Sequence, residues 1–443
     1  MKLIIATNRA PYDVKKPKDE VIVEKAPGGL VAALDPVMRE NGGVWVCGGE
    51  KLLEDYGIEL PYPVKQVKLT KNENKHYYEG FCNTQIWPLF HYFPAKYKLH
   101  TKDWNFYRQV NQKFANQILE IIEPDDRIWI HDYQLMLLPK LLREKGVNNK
   151  IGFFLHIPFP NVEVYRIFPK RIEILESLVT CDLVGFHTAS YKKHFLECVE
   201  YFLGKDVDIG RVEDLSISID YNNIVKTAKS HKVNLILKDL KYNFSDQIIG
   251  LGVDRLDYTK GVPEKFEGLE HFLDNNPEYI KKLSFIQIAV PTRSSVSEYQ
   301  KIKRITDELV GRINGKFSRE GWSPIQYIYH NLKFEELIAY YRLADFIVVS
   351  ALRDGLNLVA KEYIASRINN TGQLILSEFT GAAEVLPHRL LINPYDVRSI
   401  SNSISKVLKT PKETQVKDMT ELRNYVQEND IFKWLDTFLE MLG

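Results

Sequence analysis

Short apolar runs rich in β-branched residues recur along the chain, separated by helix-forming stretches, and this alternation restricts the fold more than any other feature. In the first half Lys2–Thr7, Arg127–Ile130, Ile151–Leu155 and Leu183–Phe186 read as strands. In the second, Ile248–Val253, Leu283–Val290, Ile325–Ile328, Phe346–Ala351, Leu374–Leu376 and Leu390–Ile392 do so. Runs that are apolar on both faces belong in sheets covered on both sides, so a mostly parallel, doubly wound α/β sheet is predicted for each half. At 443 residues the chain exceeds one ordinary core and suits two. Two Rossmann-like domains facing across a cleft are the expected result, 1–238 and 239–443, with the boundary in the stretch Asn234–Ser245. Gly204–Asp220 is read as a small hairpin, Tyr221–Val233 as a linking helix, and Glu421–Leu442 as a terminal helix with apolar residues spaced to pack on a neighbour.

Composition removes several classes of function. Lys and Arg number 59 against 58 Asp and Glu, a net charge of +1, so nothing calls for nucleic acid or an anionic membrane as partner. An anionic ligand would need local cations instead. The four cysteines, Cys47, Cys82, Cys181 and Cys198, form no CxxC and no ligand-like grouping with histidine, so neither a zinc site nor a disulfide framework is expected. No apolar segment approaches the ~20 residues that span a bilayer, and Met1–Ala6 enters a strand without a leader-like pattern, so a cytoplasmic protein is expected. An assembly of identical copies is compatible with this surface.

The stretch Asp345–Ser366 carries the most chemistry. The apolar run Phe346–Val349 is followed by a loop holding Asp354 and Gly355, and then by a helical pattern starting near Asn357. In an open α/β sheet, that junction is where ligands bind. The first amides of a helix beginning near Asn357 lack intrahelical partners and suit a phosphate. Glu362 stands one turn on, where its carboxylate can accept from a vicinal diol, and Asp354 can accept from another hydroxylated group. A surface loop whose aspartate merely caps the helix fits the same residues.

Other polar groups fall at comparable places. Arg255 and Lys260 follow the strand ending at Val253, where they can neutralise a diphosphate or stand as solvated surface charges. Arg293, after Val290, has the same two readings. Arg9 follows the first strand, His131 and Asp132 the strand at 127–130, and His156 the strand at 151–155. Gly28 and Gly29 precede a helix start, where a backbone without Cβ can approach a ligand. Asn74–Pro94 is dense in aromatics, among them Tyr78 and Trp87, which serve either as core or as sugar-stacking surfaces. No GxGxxG follows the first strand, which disfavours a dinucleotide-binding dehydrogenase.

These segments, in order, resemble the trehalose-6-phosphate synthases: Asn8-Arg9, Pro27-Gly28-Gly29-Leu30, Ile128–Tyr133, Phe154–Pro160, Val253–Gly261 and Leu352–Glu362. The resemblance implies a retaining glycosyltransferase of GT-B fold, with the C-terminal helix packing back on the N-terminal domain. It implies a nucleotide sugar, UDP-glucose foremost, as donor and glucose 6-phosphate as acceptor, with no metal or other cofactor. Arg255 and Lys260 would hold the diphosphate, Gly28 and Gly29 would close over it, and Asp354 and His156 would take glucose hydroxyls. The Asn357 and Leu358 amides would meet the phosphates, Gly355 and Val359 would belong to the same donor site, and Glu362 would take the ribose. Arg9 and Arg293 would grip the acceptor phosphate, with Tyr78, Trp87, Asp132 and Tyr133 lining its pocket. Two rivals remain: a transferase using glycerol 3-phosphate, and a catalytically silent sugar-phosphate-binding subunit. No phosphatase domain is expected after the second domain.

Overall fold

The computed structural model describes residues 2–15, 22–26, 29–293, 296–387 and 390–443. Its chain forms two compact units, one of residues 1–217 with 431–443, the other of residues 218–430.

The first unit holds strands β1 (Leu3–Thr7), β2 (Tyr12–Lys15), β3 (Ile22–Lys25), β4 (Val44–Gly49), β5 (Val64–Lys68), β6 (Arg127–His131), β7 (Ile151–Phe154), β8 (Leu183–Phe186) and β9 (Arg211–Asp214). Seven of them form a parallel sheet in the order β5-β4-β1-β6-β7-β8-β9, while β2 and β3 make a separate antiparallel hairpin. The central strands β7 and β8 are buried at every residue, as runs apolar on both faces require. The stretch read as a hairpin, Gly204–Asp220, instead contributes β9, an edge strand parallel to β8. The aromatic segment is helical, with Lys75–Ile86 wound as a π-helix that runs into the turn Trp87–Phe90.

The second unit holds β10 (Ile248–Arg255), β11 (Leu283–Val290), β12 (Ile325–Ile328), β13 (Phe346–Val349), β14 (Gln373–Ser377) and β15 (Leu390–Ile392). They form a parallel sheet in the order β12-β11-β10-β13-β14-β15. Each sheet starts near its middle, grows to one side, and then resumes on the other. The switch points lie between β1 and β6 in the first sheet and between β10 and β13 in the second. At a switch point neighbouring connections leave in opposite directions, which opens a crevice beyond the strands' carboxyl ends.

Two boundaries differ from the sequence expectation. The units divide at 217/218 rather than 238/239, because Asn234–Ser245 is largely the helix His231–Asn243 and not a linker. Arg342 Nη1 ties that region to the second unit, donating to Ala228 O and Asn234 Oδ1 at 2.6 Å each. The terminal segment is two helices, Lys412–Glu428 and Ile431–Leu442, and only the latter joins the first unit. It returns to the N-terminal domain as expected. Phe438 stacks on Trp129 with ring centroids 4.3 Å apart. Glycine makes the seat: a Cβ on Gly152 would come within 2.6 Å of the Phe438 ring, and one on Gly185 within 3.1 Å. Among the described residues no helix is long and apolar enough to cross a membrane.

Candidate active site

In the second unit the predicted donor residues converge at the switch point. β10 and β13 pair only at Gly250↔Phe346 and Leu251↔Ile347, and beyond that register each strand feeds a loop. The two loops are cross-braced. Leu352 N donates to Thr259 O at 2.7 Å, and Ser350 Oγ donates to Gly261 O at 2.8 Å. Gly261 has φ 62°, and a Cβ there would stand 2.1 Å from Ser350 O, so only glycine permits this closeness.

Lys260 and Asp354, 94 residues apart in sequence, meet in this brace, with Nζ 2.6 Å from Oδ2. Asn357 donates to the same Asp354 oxygen at 3.0 Å through Nδ2, and its Oδ1 caps the Ala360 amide at 3.1 Å. The cap of helix Leu358–Ser366 is therefore Asn357 and not Asp354, whose carboxylate stays directed at the loop. Asn357 holds φ 86°, a left-handed conformation that costs a non-glycine residue energy and persists where surrounding contacts impose it. The Leu358 and Val359 amides, at the first two positions of the helix, lie outside its own ladder. Gly355 is buried, and Gly381 N donates to Asp354 O at 3.2 Å, which fixes the loop from behind.

Arg255 ends β10 and is exposed. Behind it lies a residue that the motif contained without any assigned part, Asp257. Its carboxylate is fully buried, accepts from Thr259 N at 3.0 Å and from Tyr299 OH at 2.9 Å, and pairs with Arg293 Nη1 at 3.2 Å. Burial pushes this carboxyl up, yet Arg293, Arg255, the Thr259 amide and Lys260 together hold it below the usual range, so it stays charged. Arg293, with φ 45°, is thus largely enclosed and engaged with Asp257. Below the loop, Lys265 pairs with Asp254 at 2.7 Å inside the core, admitted by Gly252, where a Cβ would lie 2.7 Å from Lys265 Nζ.

Glu362 is half-buried one turn into the helix, and Tyr341 OH donates to its Oε2 at 2.9 Å. Burial raises the Glu362 carboxyl, and the Tyr341 bond works against that rise. Tyr341 carries no sequence signal, because its partner lies on another helix.

In the first unit the corresponding groups gather at the β1/β6 switch point. Arg9 follows β1, is exposed, and stands 3.6 Å from Asp13. Asp132 follows β6 with φ 74°, its Oδ1 accepting from the His156 amide at 3.2 Å. His131 Nδ1 is 3.0 Å from His156 Nε2, and burial, with the neighbouring histidines, drives both imidazoles well below the ordinary value. Tyr78 is half-buried on the π-helix. Trp87 and Tyr133 are buried instead of lining a surface. Their ring centroids lie 5.7 Å apart, and Tyr133 OH donates to Asn83 Oδ1 at 3.0 Å. Gly28 lies outside the described residues, and Gly29 opens the helix Gly29–Asn41.

The second unit thus sets cations and carboxylates beside a helix start at a switch point. Comparison with known proteins identifies the family. The profile of Glycosyltransferase family 20 matches residues 1–443. The chain is 38% identical to an alpha,alpha-trehalose-phosphate synthase [UDP-forming] from Candida albicans, covering 100% of this chain and 97% of that one. It is also 38% identical to synthase A of Dictyostelium discoideum, of whose length it spans 62%. Among solved structures, the Burkholderia xenovorans UDP-forming synthase in complex with glucose-6-phosphate superposes with TM-score 0.92 at 32% identity, covering 100% of both chains. An E. coli trehalose-6-phosphate structure bound with UDP-2-fluoro glucose gives 0.91 at 32% identity, covering 100% of this chain and 99% of that one. The chain, an enzyme of two Rossmann-like units with the GT-B fold, belongs to glycosyltransferase family 20.

Proposed function

We propose that the protein transfers glucose from UDP-glucose to glucose 6-phosphate with retention, forming α,α-trehalose 6-phosphate. The observation that carries this reading is the Lys260–Asp354–Asn357 constellation at the mouth of helix Leu358–Ser366, which offers a cation and open amides for a diphosphate beside a carboxylate for sugar hydroxyls. The donor and acceptor follow from its relatives, which are UDP-forming synthases, and from the glucose-6-phosphate and UDP-2-fluoro glucose complexes of similar proteins.

In this reading Arg255, Lys260 and the Leu358 and Val359 amides take the diphosphate, while Gly355 and Asn357 shape the turn. Gly28 and Gly29 close over the donor. Asp354 and His156 take glucose hydroxyls, and Glu362 takes the ribose. Arg9 and Arg293 are the guanidinium groups for the acceptor phosphate, and Tyr78, Trp87, Asp132 and Tyr133 shape that pocket. The bond from glucose C1 to the diphosphate breaks as the acceptor hydroxyl bonds to C1 on the same face, and the hydroxyl proton passes to the departing phosphate oxygen. Such a course needs no enzymic nucleophile, and the charge growing on the diphosphate is met by groups already in place.

The test is nucleotide release from UDP-, ADP- and GDP-glucose, each paired with glucose 6-phosphate or glycerol 3-phosphate, with the product weighed by mass spectrometry. A disaccharide phosphate from UDP-glucose and glucose 6-phosphate is expected. Release only with glycerol 3-phosphate, or none with any pair, would overturn the reading. Arg9→Ala is expected to raise KM for glucose 6-phosphate by roughly tenfold or more, the worth of a charge-assisted bond, with UDP affinity unchanged. Equal loss of both would contradict its assignment. The proposal includes no metal, since Arg255, Lys260 and the helix amides supply the positive charge. Excess EDTA should leave the rate unaltered, and a loss restored by a divalent cation would refute that part. A cytoplasmic location completes the proposal.

A further inference from the structure

Glu362 has two carboxylate oxygens, and among the described residues only one of them is engaged. Tyr341 OH donates to Oε2 at 2.9 Å, while no hydrogen bond from a described residue reaches Oε1. Tyr341 is fully buried on helix Phe334–Leu343, and its phenol is pushed well above the usual range by burial and by Glu362, so it keeps its proton and remains a donor. The tyrosine is held in place independently of that hydroxyl. Arg367 Nη1 donates to Tyr341 O and Arg342 O, each at 2.8 Å, and the Tyr341 and Tyr363 rings meet edge-on at 6.3 Å.

We propose that Tyr341 is a positioning residue for the nucleotide: by anchoring Oε2 it fixes the plane of the Glu362 carboxylate, so that Oε1 and the remaining lone pair of Oε2 are set to accept from the two hydroxyls of a ribose. Tyr341 itself does not touch the ligand. A carboxylate on a rotating side chain must give up its freedom when it grips a vicinal diol, and here that ordering is complete before the ligand arrives. The inference rests on the assignment of Glu362 to the ribose.

The experiment measures the Kd of UDP and of 2′,3′-dideoxyuridine diphosphate for the wild type, Tyr341→Phe and Glu362→Ala by calorimetry, with UDP-glucose kinetics alongside. Tyr341→Phe keeps the ring and the Arg367 bonds, so folding should be retained, as a thermal melt will verify. UDP binding is expected to weaken by about three- to tenfold in Tyr341→Phe, the cost of ordering one side chain on binding, and more in Glu362→Ala, which removes the acceptor itself. KM for UDP-glucose should rise with kcat little changed, and neither variant should weaken the dideoxy analogue. Equal weakening of UDP and the analogue in Tyr341→Phe would mark a general disturbance and overturn the proposal. Loss in Glu362→Ala alone would overturn it while sparing the ribose assignment. Unchanged UDP affinity in both variants would remove that assignment too.

Discussion

Replacing Lys260 with alanine is expected to lower kcat by roughly 10²–10³-fold, the usual cost of deleting one preorganised donor from a developing anion. Lys260 is 8% exposed, and its ammonium lies 2.6 Å from Asp354 Oδ2. Within the proposed reaction it faces a charge that grows as the diphosphate departs, so its contribution is greater in the transition state than in the ground state. The loss should accordingly appear mainly in kcat, with a smaller rise in KM for the donor and none for the acceptor. Asp354 makes the result more informative. In the free protein it is Lys260's partner, and Lys260→Ala leaves its carboxylate with the Asn357 amide as the described hydrogen-bond donor. A double-mutant cycle with Asp354→Asn should show strong non-additivity, because the first substitution already disables the pair. Unchanged kcat in Lys260→Ala would dismiss the diphosphate assignment.

That pair also shows what the sequence makes legible and what it withholds. The run Phe346–Val349, the loop and the helix after Asn357 are local features, so the position of Asp354 at a strand's carboxyl end follows from pattern alone. Its contact with a lysine 94 residues away does not, since it depends on which strand lies beside which. The Tyr341–Glu362 bond and the buried Asp257–Arg293 pair are hidden for the same reason. Strands fail to show where their residues are not strand-like. β5 reads Val-Lys-Gln-Val-Lys and β9 reads Arg-Val-Glu-Asp, both edge strands whose charged residues keep the sheet's rim in water. β4 ends in Gly48-Gly49, a pair that elsewhere marks a turn, yet here a Cβ on Gly48 would meet Asn8 O at 3.3 Å. Trp87 was legible as one of an aromatic cluster but not as a buried member, because core and sugar-stacking surfaces draw on the same residues, and the same holds for Tyr133 after β6.

Acid is expected to act oppositely on the two units, with the first losing stability between about pH 6.5 and 5. His131 is buried and His156 half-buried beside Trp434, with ring centroids 6.4 and 6.3 Å from it, and both are driven well below the ordinary value of 6.5, first by burial and then by a neighbouring histidine. The unfolded chain therefore takes up protons at pH 6.5 that the folded chain refuses, so stability is present above that pH and falls as pH drops below it. The slope is at most ~1.4 kcal/mol per pH unit for each histidine, and the two titrate as a pair. Carboxyls held low, such as Asp126 and Asp182, add to the loss only near their unfolded value of 3.8, beneath this window. In the second unit Glu264, Asp345 and Glu362 are raised by burial, so the folded state binds protons first and gains stability as pH falls toward 4. Lys361, lowered to about 7 by burial, acts elsewhere: its penalty shrinks as pH rises from 7 to 10.5. Of the six tryptophans, Trp45, Trp87, Trp104, Trp129 and Trp434 belong to the first unit and Trp322 to the second, so denaturant unfolding followed by tryptophan fluorescence reports chiefly on the histidine-bearing one. Its midpoint should fall from pH 7 to pH 5.5, and His131→Asn should roughly halve the slope by removing one titrating site. A midpoint that stays constant over that range would mean that these imidazoles are charged in the folded protein, and a slope that His131→Asn leaves intact would mean that other groups carry the loss.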